Sequence, residues 1–112
     1  MGITKSELFT SQQNELANLC RVLGHPARIA ILEHLQRANA CITSDLVSEL
    51  GLAQATVSQH LNELKNVDLI QGTLEGSGRS YCINRTRWVE LHTKISTFFN
   101  ESLPKLSSTC CK

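Results

Sequence analysis

The chain has 112 residues, 41% hydrophobic and 19% charged, which fits one globular domain and excludes a disordered segment. Eleven Lys and Arg against ten Asp and Glu leave a formal net charge of +1, which excludes a strongly basic, non-specific nucleic-acid binder. Folding at this size buries about 65% of the unfolded surface, enough for one small core and too little for an enclosed active-site cavity.

Residues 7–22 place Leu8, Leu16, Leu19 and Cys20 at helical spacing, with Leu23 just beyond, and predict a first helix. Gly24-His25-Pro26 breaks it, and Pro26 suits the first position of a second helix. That helix runs to about Gln36 with Ile29, Leu32 and Leu35 on one face. Thr43 or Ser44 can cap a short third helix, and Gly51 ends it. A fourth helix, from about Gln54 to Val67, repeats Val57, Leu61 and Leu64. The period then changes. Residues 69–74 and 79–83 read as strands around the turn Glu75-Gly76-Ser77-Gly78, a β-hairpin. From about Thr86 the helical period returns in Trp88, Leu91, Ile95, Phe98, Phe99 and Leu103, until Pro104. The expected organisation is one domain over 1–104 and a flexible tail, 105–112, carrying Cys110 and Cys111.

No run of 18 apolar residues is present, so no transmembrane helix is expected. The opening MGITKSELFTSQQ lacks the apolar region of a secretory signal. A cytoplasmic location with reduced thiols is therefore expected for Cys20, Cys41, Cys82, Cys110 and Cys111.

Two helices joined by Gly51-Leu52-Ala53 fit a helix-turn-helix. At about 100° per residue, Val57, Leu61 and Leu64 share one arc of the second helix. Ala55, Gln59 and Asn62 lie opposite, with Thr56 and Ser58 on the flanks. A merely solvated face usually carries Lys and Glu, and this one carries no charge before Glu63. Small hydrogen-bonding side chains let a helix approach base edges in a major groove, so Gln54, Thr56, Ser58 and Gln59 are candidate DNA contacts. His60 points to the edge of the buried face and reads as a packed, satisfied histidine rather than a base reader. A hairpin directly after such a helix makes a wing, whose tip offers Arg79 to phosphate or minor groove.

The segments LCRVLGHPARIAILEHL, SDLVSELGLAQATVSQHLNELKNVDLI and the wing end RSYCIN carry a resemblance. From Leu19 to Trp88 the chain resembles the ArsR/SmtB family of small dimeric winged-helix repressors that sense metals and metalloids. The implied fold is mainly α with a β-hairpin wing, in the order α1-α2-α3-α4-β1-β2-α5. The resemblance implies that Gln54, Ser58 and Gln59 face the operator, and that first and last helices form a homodimer interface. The apolar stripe from Trp88 to Leu103, too wide for one small monomer to cover, independently asks for such a partner.

The family's sensory sites differ in their ligands. One places Cys-x-Cys-Asp at the start of the third helix; here Asp45 matches, Ile42 and Ser44 stand at the cysteine positions, and Cys41 comes one residue early. A zinc site on the last helix is imitated by Glu90-Leu91-His92, but its second half falls on Leu103 and Leu106, which cannot ligate. A persulfide-sensing pair would fall on Glu33 and about Asn100. Cys110-Cys111 remain: adjacent thiolates, with Cys41 as the favoured third, would suit As(III) or Sb(III), and Cd(II) less well. Cys20 and Cys82 read as packed residues and as lesser candidates for the third ligand.

The expected function is a repressor released from operator DNA when a soft metalloid binds these thiolates. The alternative is a thiol redox or persulfide sensor on the same scaffold. An enzyme finds no support, because the chain carries no phosphate loop, no HExxH and no Ser-His-Asp arrangement.

Overall fold

The computed structural model describes residues 5–38, 46–73 and 80–102. A short 3-10 turn, Lys5–Leu8, precedes helix α1, Ser11–Leu23. Helices α2 (Pro26–Ala38), α3 (Leu46–Leu50) and α4 (Gln54–Asn66) follow in order. Strands β1 (Ile70–Thr73) and β2 (Ser80–Ile83) form an antiparallel pair, and α5 (Arg85–Ser102) completes the domain. The expected order of elements and the winged-helix class are both present.

The first helix starts later than its apolar spacing suggested. Thr10 Oγ1 accepts the Gln13 backbone N–H at 3.0 Å, and Gln13 Oε1 accepts the Thr10 N–H at 3.0 Å. This reciprocal capping box sets the boundary and leaves Leu8 outside α1, 68% exposed. The buried stripe of α1 is Leu19 and Val22. Cys20 lies about 130° round the helix from the centre of that stripe, so it is exposed rather than the packed residue expected. In α2 the buried residues are Ile31, Leu32 and Leu35, whereas Ile29 is turned outward for the same angular reason. Pro26 opens α2 as expected, with His25 Nδ1 accepting the Ala27 N–H at 3.1 Å.

One core gathers every element. Leu19, Val22, Ile31, Leu35, Leu46, Val57, Leu61, Leu64, Leu69, Ile70, Tyr81 and Leu91 pack in it. Gly51 ends α3 in the left-handed region (φ 71°), its N–H donating to the Val47 carbonyl at 2.8 Å. Asp68, also left-handed (φ 64°), makes the tight turn from α4 into β1.

The register pairs Ile70 with Ile83 and Gly72 with Tyr81. Gly72 is required there: at φ 127° a Cβ would lie 2.0 Å from the Ser80 carbonyl oxygen. The expected hairpin turn and the caps Thr43 or Ser44 lie outside the described residues. On α5, Leu91 is buried, Trp88 and Ile95 are half-buried, and Val89, Phe98 and Phe99 are exposed. No helix among the described residues is long and apolar enough to cross a membrane.

Candidate nucleic-acid interface

Helix α4 is held by Val57, Leu61 and Leu64 on its inner side. Its outer side presents Gln54, Ala55, Gln59 and Asn62 to solvent, with Thr56 and Ser58 half-buried beside them. Gln54 Nε2 donates to Ser58 Oγ at 3.1 Å, so these side chains form one polar surface over the first turn. The N-cap is Ala53, which supplies no side-chain hydrogen bond to the first turn. Those backbone N–H groups are therefore available to a phosphate, where the helix dipole favours negative charge. The side chains expected from angular spacing thus share one accessible face. Arg79, the expected wing contact, lies outside the described residues.

Truncating Gln59 to alanine should cost roughly 1–3 kcal/mol for the chain's operator if its amide reads a base. Fluorescence anisotropy against operator and random duplex checks this. Equal weakening on both would assign Gln59 to the DNA backbone instead.

His60 is 8% exposed, packed as expected. Its Nδ1 accepts Arg28 Nε at 3.1 Å, while Arg28 Nη1 donates to the Val22 carbonyl at 3.1 Å. The His25 ring lies 4.3 Å from it, tilted by 55°. Sequence spacing missed this pair, because His25 sits in the bend before α2 and His60 on α4, 35 positions apart. Burial holds His60 below its ordinary pKa of 6.5, reinforced by His25 and Arg28 and opposed by Glu63. The neutral ring accepts the arginine proton, and a protonated one could not.

A histidine with a lowered folded pKa takes up protons in the unfolded chain first, so stability is full above 6.5 and falls with acidification. Between about pH 7.5 and about pH 5.5 the urea midpoint should therefore drop, and His60→Gln should flatten the drop. Glu15 also sits below its ordinary value of 4.5, through hydrogen bonds from Lys94 and then Arg87. Its contribution is lost only at more acid pH, outside that window. A wild-type midpoint constant across the window would rule out the histidine contribution.

The designated sensory cysteines Cys41, Cys110 and Cys111 lie outside the described residues. Among those described, Cys20 is the one free thiol, exposed on α1. Cys82 is half-buried in β2, receives Gln71 Nε2 at 4.0 Å, and is disulfide-bonded, a departure from the reduced state expected for it. No group of three His, Cys, Asp or Glu among the described residues is placed to hold a metal ion. Glu90 and His92, which imitate half of a zinc site in sequence, are exposed on either side of buried Leu91.

A helix-turn-helix with an exposed uncharged reading face, followed by a two-stranded wing, defines a winged-helix DNA-binding regulator. Residues 25–71 match the family described as bacterial regulatory proteins of the arsR family. A helix-turn-helix transcriptional regulator of Methanocaldococcus jannaschii is 31% identical over 75 residues, covering 67% of this chain and 84% of that protein. The transcriptional regulator CmtR of Mycobacterium tuberculosis is 35% identical over 72 residues, 64% of this chain and 60% of CmtR. The transcriptional repressor SmtB of the same species is 43% identical over 61 residues, 54% of this chain and 43% of SmtB. A crystal structure of an ArsR family transcriptional regulator superposes with a TM-score of 0.71 at 22% identity, covering 89% of this chain and 98% of that one. The chain belongs to the ArsR family of helix-turn-helix transcriptional regulators. These relatives are regulators and not enzymes.

Proposed function

We propose that the chain is a repressor that binds operator DNA as a homodimer and lets go when a soft metalloid binds its cysteines. The observation that carries the DNA half is the uncharged face of α4 on which Gln54 and Gln59 are exposed and Ser58 is half-buried beside them. The similarity to SmtB, a repressor by name, supports repression as its direction. The dimer reading rests on the apolar residues left exposed at the start of the chain and along α5: Leu8, Phe9, Val89, Phe98 and Phe99. Pairing α1 and α5 across a two-fold axis would cover them and present two α4 helices to successive major grooves.

For the inducer, in the fully reduced chain Cys110 and Cys111 supply two adjacent thiolates and Cys41 the third, a set suited to As(III) or Sb(III) and less to Cd(II). The three-thiolate chemistry is what favours a soft ion. Ligation would favour a dimer geometry in which the α4 helices no longer match the DNA, through a coupling on the order of 1–3 kcal/mol or more. Displacement of a labelled operator by As(III), Sb(III), Cd(II) and Zn(II) tests the reading. Release by the first two at the lowest concentrations supports it, and release by none of the four overturns it.

The disulfide at Cys82 favours a second reading, in which thiol oxidation is the signal on the same scaffold. Release by mild oxidant, reversed by dithiothreitol and indifferent to arsenite, would select it.

A further inference from the structure

Arg87, in the first turn of α5, spends its whole guanidinium on three different parts of the fold. Its Nε donates to the carbonyl of Val67, the C-cap residue of α4, at 3.0 Å. Its Nη2 meets Glu15 Oε2 of α1 at 3.1 Å, and its Nη1 meets Glu90 Oε1 of α5 at 3.1 Å. Glu15 is itself held from its other oxygen by Lys94 Nζ at 3.0 Å. The Arg87 side chain is only 18% exposed. Asn84 Oδ1 accepts the Arg87 backbone N–H at 3.3 Å, which anchors the arginine from behind.

The chemistry of this arrangement is directional. A cation at the C-terminal end of α4 complements the helix dipole and occupies a carbonyl that has no partner further along the helix. The planar fork of arginine can serve three acceptors set apart in space, which the compact ammonium of lysine cannot. Helix α4 is also seated by its apolar side, where contact is non-directional, and by two polar links along its length. These are Arg28 Nε to His60 Nδ1 at 3.1 Å and Arg21 Nη2 to Glu63 Oε1 at 3.4 Å; the Arg87 bond adds a hold at its C-cap. The Arg87 link is a hydrogen-bonded tether from the DNA-facing helix to α1 and to α5, the helix that carries exposed Val89, Phe98 and Phe99.

We infer that Arg87 is a positioning residue: by tying the end of α4 to Glu15 and Glu90 it sets the angle at which the reading face is presented, and so sets operator specificity without touching DNA. A residue with this role governs how well two α4 helices fit two grooves at once. It leaves sequence-independent attraction to phosphate almost unchanged, since that depends on other cations. The inference rests on the reading of α4 as the DNA-contacting helix.

The test uses the full chain and the operator it selects from random-sequence duplex. Affinity for that operator and for random duplex is measured over a series of salt concentrations, with folded fraction followed by circular dichroism. Arg87→Ala should lower the operator-to-random affinity ratio at least about tenfold, with the salt slope unchanged. Arg87→Lys should fall between alanine and wild type, and Glu15→Gln, the milder change, should lower the ratio in the same direction. Three outcomes would overturn the inference: an unchanged ratio in a folded Arg87→Ala chain, losses on both DNAs that merely track the folded fraction, or equal losses with the salt slope reduced by about one phosphate. The last would make Arg87 a phosphate contact. A wild-type chain that selects no sequence overturns the DNA reading itself, and this inference with it.

Discussion

Leu64→Ala should lower the free energy of unfolding by roughly 2–5 kcal/mol, a large share of the 5–15 kcal/mol typical of a domain. Leu64 is fully buried on the inner side of α4, in the cluster that joins that helix to α1, α2, β1 and α5. Removing its branched end takes away apolar burial and leaves a cavity that packed neighbours fill only in part. Chemical denaturation reads the effect as a lower midpoint at nearly constant slope. The same change should weaken DNA binding only as far as it unfolds the chain, because Leu64 faces away from Gln54, Ser58 and Gln59. Measurements at one protein concentration are needed, since the apparent stability of the proposed dimer would rise with concentration. A loss below about 1 kcal/mol would mean that α4 is not seated in the core as described.

Cys110→Ser combined with Cys111→Ser should leave operator affinity within about twofold of wild type and abolish release by As(III). Serine preserves size but supplies no soft thiolate, so the change is confined to ligand chemistry. The two cysteines follow Pro104 in the sequence, beyond the last residue of α5. Cys41→Ser should give the same phenotype if Cys41 completes the set, because two thiolates hold a three-coordinate ion less tightly than three. Loss of response in Cys20→Ser or Cys82→Ser, with Cys41→Ser normal, would move the third ligand. Normal release of the double variant by every soft ion tested would end the metalloid reading of the tail. Operator release in an electrophoretic shift assay, at stated salt, provides the readout.

Much of the fold was legible in the residues because it depends on local rules. The Val57, Leu61 and Leu64 period, the Gly51 stop, Pro26 at a helix start and the switch from helical to strand-like runs after Leu69 each act within one or two turns of chain. The reading face of α4 followed from the same arithmetic, since burying one side of a helix exposes the opposite side. The first helix was the exception: Leu8 carried the right period, but the Thr10–Gln13 capping box, also written in the sequence, sets the boundary beyond it.

Contacts between distant parts of the chain were not legible. Cys20 and Ile29 looked inward by helical spacing and face outward, because neighbouring helices select which arc of each cylinder is covered. The His25–His60–Arg28 cluster and the Glu15–Arg87–Lys94 tether join side chains 32 to 79 positions apart, with charge signs common on any surface. Sequence by itself determined which helices form and which face of α4 is exposed, since periodicity and caps act over a few residues. Only the tertiary structure decided how that face is held and at what angle, because hydrogen-bond geometry across elements exists only once packing has brought them together.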